Sequence, residues 1–305
     1  MLILHAFREA SVFVKFILLL FFMVVSCCLC MFVAAIISFI TVGGDLNAFQ
    51  QLFSLHASVS FLKLFQAAQA IGLFLIPPFI VAFLLEKEGV AFLKMKQVVL
   101  SPISISIALV FFLFPLINWL GGINQLMHLP PFLSGIEQWM RQAENQASDL
   151  TQKFLFADGF SVLLINVFIM ALLPALGEEF LFRGVIQQYL LKIAGNKHIA
   201  VWVTAIIFSA FHLQFFGFFP RMVLGAVLGY LFIWSENIWY PIVFHFVNNA
   251  LAVAAYYLFQ TKIISTNPET LATNPSDVWM IFATVPFIFL LLWRFSKMFD
   301  LIRNN

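Results

Sequence analysis

Glu178 and Glu179 stand side by side in Gly177-Glu178-Glu179-Phe180-Leu181-Phe182-Arg183-Gly184, with Arg183 four residues beyond the second acid. On a helix Glu179 and Arg183 share a face and can pair, whereas Glu178 points about 100° away and has no arginine of its own. A carboxylate desolvated among apolar side chains holds its proton more tightly and can act as a general base near neutral pH. A charged helix end at a membrane surface explains the same residues equally well. His212 closes Phe208-Ser209-Ala210-Phe211-His212, and His245 and Asn249 lie four apart in a second apolar segment, on one helical face. Taken singly, an intramembrane histidine is more often a helix-packing hydrogen-bonder than a catalyst. Two carboxylates, two imidazoles and a carboxamide spread over three apolar segments are together the inventory of a hydrolytic site. His5, His56, His128 and His198 fall near segment ends or in loops, and Arg221, just after Pro220, reads as an interfacial anchor.

The elements that position these residues are those of a membrane. Hydrophobic residues make up 63% of the 305-residue chain and charged residues 10%, and mean hydropathy is +1.00. A soluble domain needs far more polar surface. The net charge of +2 is small and gives no sign of a nucleic-acid surface. A bilayer core takes roughly 20 apolar residues per helix, and such runs cover Phe16–Val42, Leu64–Leu85, Pro102–Gly121, Phe160–Gly177, Ile199–Gly217, Phe218–Trp234, Trp239–Phe259 and Val278–Trp293. In lipid every backbone polar group must pair within its own segment, so each run is a helix. The expectation is an all-α, polytopic transmembrane bundle of about eight spans.

Three divisions are expected: 1–159, N-terminal transmembrane helices with interfacial or extracytoplasmic segments; 160–259, a catalytic core; and 260–305, a loop and the last transmembrane helix. Arg8 and Lys15 precede the first span; Lys87, Lys94 and Lys96 follow the second; Arg183, Lys192 and Lys197 follow the fourth; Arg294, Lys297 and Arg303 follow the eighth. The other side holds Asp45, the stretch from Glu137 to Asp158 and the Glu269–Asp277 loop. Positive residues collect on the cytoplasmic side, so the expectation is a multi-pass protein of the cytoplasmic membrane with both termini inside. Leu46–Leu62 has the apolar spacing of an interfacial helix. Pro130–Gly159, with Ile136, Trp139, Met140 and Ala143 among charges, suits an amphipathic helix on the outer face; it is placed to gate a site, although a connector is the simpler reading. Cys27, Cys28 and Cys30 read as inert small hydrophobes. The Val24–Cys27 stretch loosely resembles a lipoprotein box, but the apolar run continues to Val42, as in a retained signal anchor.

Glu-Glu-x-x-x-Arg, then Phe-x-x-x-His, then His-x-x-x-Asn on successive membrane helices resembles the CPBP family, which comprises CAAX prenyl endopeptidases and bacterial bacteriocin-processing and immunity-related membrane proteins. The resemblance covers Leu173–Ala250, departs nowhere at the motif positions, and with Gly184, Gly225 and Gly229 is nearest the bacterial branch. It implies an intramembrane endopeptidase acting on a membrane-associated or hydrophobic peptide or protein. Carried over residue by residue, it makes Glu178 the base that activates water and His212 a holder of that water. His245 and Asn249 would stabilise the oxyanion, and Glu179 with Arg183 would brace the helix.

Other readings remain open at this point. No cofactor is expected, yet two histidines and a glutamate could ligate Zn2+. A catalytically silent immunity scaffold or a proton-coupled transporter would also keep polar residues in the membrane, although no repeated halves are evident. Ser209 as nucleophile has no neighbouring base. Depth is the remaining tension: a fourth span ending at Gly177 leaves Glu178 near the surface, while His212 lies about 13 residues, roughly 20 Å, into the fifth. Continuation of the fourth helix toward Leu191 would bring the two level, and Phe180, Leu181, Phe182, Val185 and Ile186 permit it.

Overall fold

The computed structural model describes residues 7–53, 58–268 and 273–304, so His5, His56, Asn305 and residues 269–272 of the expected outer loop lie outside the described residues. The described chain is helical, with no strand. The helices are α1 (Val12–Thr41), α2 (Leu46–Gln51), α3 (Val59–Leu85), α4 (Leu100–Gln125), α5 (Ser134–Leu155), α6 (Phe160–Ala194), α7 (Lys197–Phe211), α8 (Phe218–Ser235), α9 (Trp239–Gln260) and α10 (Val278–Asn304). Among the described residues seven are long and apolar enough to cross a membrane: α1, α3, α4, α6, α8 (from Phe215), α9 and α10. The eighth expected segment is α7, whose 15 residues fall short of a full crossing.

Local chemistry sets the helix ends. Asp45 accepts from the amides of Asn47 and Ala48 to start α2, and Ser58 accepts from Phe61 to start α3. Gly195 at φ +61° ends α6, and Asn196 then caps α7 by accepting from His198 and Ile199. In α3 and α6 the helix widens ahead of its prolines rather than stopping at them. Pro77 and Pro78 follow a π turn at Ile71–Leu75, and Pro174 follows one at Phe168–Leu172. A proline removes an N–H from the ladder, and a wider turn absorbs the mismatch. A third π turn, Phe182–Ile186, contains Arg183 and Gly184.

Two departures from expectation follow. The fourth span does not end at Gly177 but runs without interruption to Ala194, a helix of 35 residues and so about 52 Å. Glu178 and Glu179 therefore sit near its middle, and Arg183 is not a loop charge at all: it is fully buried. His212, conversely, is not inside a span. It is the cap residue after α7, followed by Leu213 at φ +53°, because the chain must turn back there into α8.

One end of the bundle gathers lysines. Lys15 and Lys192 both reach Glu86 (2.9 and 3.1 Å), Lys87 pairs with Glu9 (2.6 Å), and Lys96 with Glu236 (3.3 Å). At the other end Asn124, near the close of α4, accepts from the Phe219 amide (3.0 Å) and donates to the Phe215 carbonyl (3.4 Å), and Ala157 exchanges hydrogen bonds with Gln260. The α7–α8 turn thus reaches the end opposite the lysines, short as α7 is. The apolar interior divides in three. One cluster joins α1, α3 and α6 through Leu19, Val81, Leu181 and Val185; a second joins α4, α8, α9 and α10 through Leu109, Leu228, Phe244 and Phe295; a small third joins α7 and α8 through Val201, Ala205, Ala226 and Ile233. Stretch 130–159 contains the expected non-spanning helix α5, whereas of 46–62 only Leu46–Gln51 forms such a helix, α2, and residues 59–62 already open the spanning helix α3. Cys27, Cys28 and Cys30 are free thiols on α1.

Candidate active site

Close approach of three helices builds the site. A Cβ on Gly177 would come within 2.8 Å of Phe74 Cβ, so only glycine lets α3 and α6 meet one residue before Glu178. On α8, Gly225 and Gly229 are spaced as in small-xxx-small membrane contacts, and a Cβ on either would lie 3.0–3.1 Å from Phe208, Gln187 or Val201. Their buried carbonyls accept from α6: Arg183 Nη2 donates to Gly225 O (2.9 Å) and Gln187 Nε2 to Gly229 O (3.0 Å).

The paired acids separate as their helical angle requires. Glu179 and Arg183 are both wholly buried and joined at 2.6 Å. Arg183 also lies 4.7 Å from the Phe208 ring centroid, a cation–π contact. His245 completes this group: its Nδ1 lies 2.8 Å from Glu179 Oε1, where a carboxylate can only accept, so Nδ1 carries the proton and Nε2 faces outward. That Nε2 is 3.9 Å from Glu178 Oε2, beyond hydrogen-bonding range. Glu178 Oε2 is buried and has no partner.

Glu178 faces a cavity of about 380 Å³, together with Phe182 of α6, Phe74 of α3, and Phe211 and His212 at the end of α7. His212 Nδ1 lies 2.9 Å from the Phe208 carbonyl, leaving its Nε2 unclaimed by that bond. Asn249 lies one turn beyond His245 on α9, half-buried, and its Oδ1 accepts from Asn248 (3.2 Å). The structure therefore brings Glu178 and His212 to one cavity and His245 beside both acids, while Asn249 is related to them through its helix face. Ser209 donates to Phe218 O (2.6 Å), a structural bond in the α7–α8 turn. Among the described residues no group of three or more His, Cys, Asp or Glu side chains is arranged to hold a metal ion.

Arg221, expected as an interfacial anchor, lies half-buried in the α7–α8 turn. Its guanidinium donates to the carbonyl and the carboxamide oxygen of Gln214, folding the turn that follows His212. The amphipathic helix α5 leans on the same turn: Trp139 meets Phe215 with centroids 5.7 Å apart, Arg141 lies 4.1 Å over the Phe216 ring, and Glu144 accepts from the Phe216 amide (2.9 Å). Sequence reasoning passed over Lys63, Gln66, Gln69, Asn166 and Gln187. Each is a polar residue within an apolar helix, the same signal that exposed the acids and histidines. Lys63 is buried and donates to Asn166, which in turn donates to Leu155 O (2.9 Å), tying the close of α5 to α3 and α6.

Residues 160–251 match the family model described as "Type II CAAX prenyl endopeptidase Rce1-like". Among curated proteins the chain is 30% identical over 90 residues to "Uncharacterized protein YpbD" of Bacillus subtilis (strain 168). That alignment takes in 28% of this chain and 43% of the relative, so the chain spans less than half of the relative's length. No solved structure gives a significant match. The matched segment contains all three motifs, and over residues 160–251 the chain is similar to the Rce1-like, type II CAAX prenyl endopeptidases.

Proposed function

We propose that this protein is an intramembrane endopeptidase that hydrolyses a peptide bond in a membrane-associated or hydrophobic peptide or protein, using water activated by Glu178. One observation carries the reading. Of two adjacent acids, each with one buried oxygen unpaired, Glu179 is sealed in protein and binds Arg183 and His245 through Oε1, while Glu178 opens with His212 onto a cavity. A structural ion pair would not leave its neighbour so placed.

In the proposed reaction water lies between Glu178 and His212 Nε2. Glu178 takes a proton as the water oxygen attacks the scissile carbonyl carbon. The negative charge that develops on the carbonyl oxygen is met by the Nε2–H of a protonated His245 and the Asn249 carboxamide. Collapse of the tetrahedral intermediate breaks the C–N bond as Glu178 returns its proton to the leaving amine. Glu179 and Arg183 hold the helix and orient His245. The three divisions (1–159, 160–259 and 260–305) and a location in the cytoplasmic membrane with both termini inside belong to the same proposal.

The test is comparison of membrane proteomes from a strain carrying Glu178→Gln and its parent. Uncut precursors accumulating in the variant support the reading; identical proteomes, with purified protein that hydrolyses nothing, favour a silent scaffold. Zn2+ is the alternative chemistry. Stoichiometric zinc in the purified protein that disappears in His245→Ala overturns the metal-free mechanism.

A further inference from the structure

The cavity holding Glu178 and His212 has a second polar wall that the proposed chemistry does not use. Gln66 and Gln69, about one turn apart on α3, line it as well. Gln66 is half-buried and Gln69 exposed, and neither carboxamide makes a hydrogen bond among the described residues. The rest of the lining is apolar, with Leu73, Ile169 and Phe211 among it. Carboxamides on a membrane helix are costly unless something polar meets them.

The reaction says what that is. In a helix each main-chain carbonyl is bonded to an amide four residues on and screened by its neighbours, so water attacks only a carbonyl freed from that ladder. A chain cut at Glu178 is therefore locally extended there, and its amides and carbonyls have lost their helical partners. A glutamine side chain offers both N–H donors and a carbonyl acceptor, the complement of a peptide unit.

We infer that Gln66 and Gln69 bind the main chain of a locally unwound, apolar peptide segment and hold it extended across Glu178. Selection then acts on the ability of a segment to unwind, with side-chain preference left to the phenylalanine and leucine walls. The inference rests on the protease reading and names its substrate class.

The probe is a set of quenched-fluorescent peptides of about ten Leu, Ala and Phe residues, offered to the full-length protein in nanodiscs, with each amide N-methylated in turn. N-methylation removes one main-chain donor and keeps every side chain. Loss of one such hydrogen bond is expected to raise KM about tenfold. At one or two positions N-methylation raises KM in the wild type by that factor. Gln66→Leu or Gln69→Leu raises it similarly with kcat within about twofold, and the matching variant no longer distinguishes the methylated peptide. Should Gln66→Leu lower the melting temperature, the exposed Gln69 carries the cycle. A methylation penalty equal in wild type and both variants overturns the inference and leaves the protease reading standing. Wild-type protein that cuts no peptide, or a Glu178→Gln variant that cuts as well, overturns the protease reading and this inference with it.

Discussion

Two neighbouring glutamates differ here by what the bundle offers each side of one helix. Glu179 points to Arg183 and His245 and is sealed from solvent, so its role is structural. Removing Arg183 would strand that carboxylate, and breaking a buried pair costs about 3–5 kcal/mol. Arg183→Ala is therefore expected to lower the melting temperature in detergent markedly, and an unchanged melting curve would show the pair to be dispensable. Glu178→Gln changes one atom at a cavity edge and is expected to abolish turnover while leaving the melting temperature in place. Asn249→Ala removes an oxyanion donor without touching the nucleophile. Single-turnover cleavage should slow by about a hundred- to a thousandfold with KM little changed; a full rate in this variant would remove Asn249 from the mechanism.

At the scale of elements, glycines decide how near the helices come. Gly177 admits Phe74 of α3 at a distance no side chain tolerates, which sets the width of the cavity beside Glu178. Gly177→Leu is expected to push α3 from α6 and abolish activity while the helical content by circular dichroism stays the same. The amphipathic helix α5 is held differently, by charge. Glu137 accepts from the Leu129 amide, Arg141 and His128, which together hold its carboxyl down to about 2. A depressed folded-state value means that this contribution is complete above the ordinary range near 4.5 and is lost as pH falls toward 2. Hydrogen exchange over residues 134–155 is expected to rise across that window and not above it. In Glu137→Gln the same exchange should already be raised at pH 7 and show no step in that window.

The whole molecule joins its two larger apolar clusters through α6, α8 and α9, and the bonded chain His245–Glu179–Arg183–Gly225 runs across that junction. Glu86 does comparable work at the lysine-rich end. Burial pushes its carboxyl up, but hydrogen bonds from Lys15, Tyr189 and Lys192 outweigh that and leave it below its usual value. This end ties α1, α3 and α6 together. If it faces the cytoplasm, reporter fusions at Lys197 and Asn305 are expected to read inside and one at Asn145 outside. An external signal at Asn305 would overturn the arrangement of passes.

Hydrophobicity by itself determined that the chain is a bundle of membrane helices, because a run of some 20 apolar residues has few other solutions. The same apolar background made Glu178, Glu179, Arg183, His212, His245 and Asn249 visible, since ionisable groups are rare in it. Spacing was enough to pair Glu179 with Arg183, an i,i+4 relation within one helix. Contacts between helices were not legible. The bond from His245 to Glu179 crosses 66 positions, and it turns one imidazole nitrogen away from the role suggested by type alone. Charge counting placed Arg183 in a loop because it assumes that charges stay outside; Glu179 on the same helix, the Phe208 ring on α7 and the Gly225 carbonyl on α8 make a buried arginine tolerable. Where α6 ends and α7 turns was likewise decided by Gly195, Leu213 and the Arg221–Gln214 clasp. Those local conformations depend on the neighbouring helices, and they set the depth at which Glu178 and His212 meet.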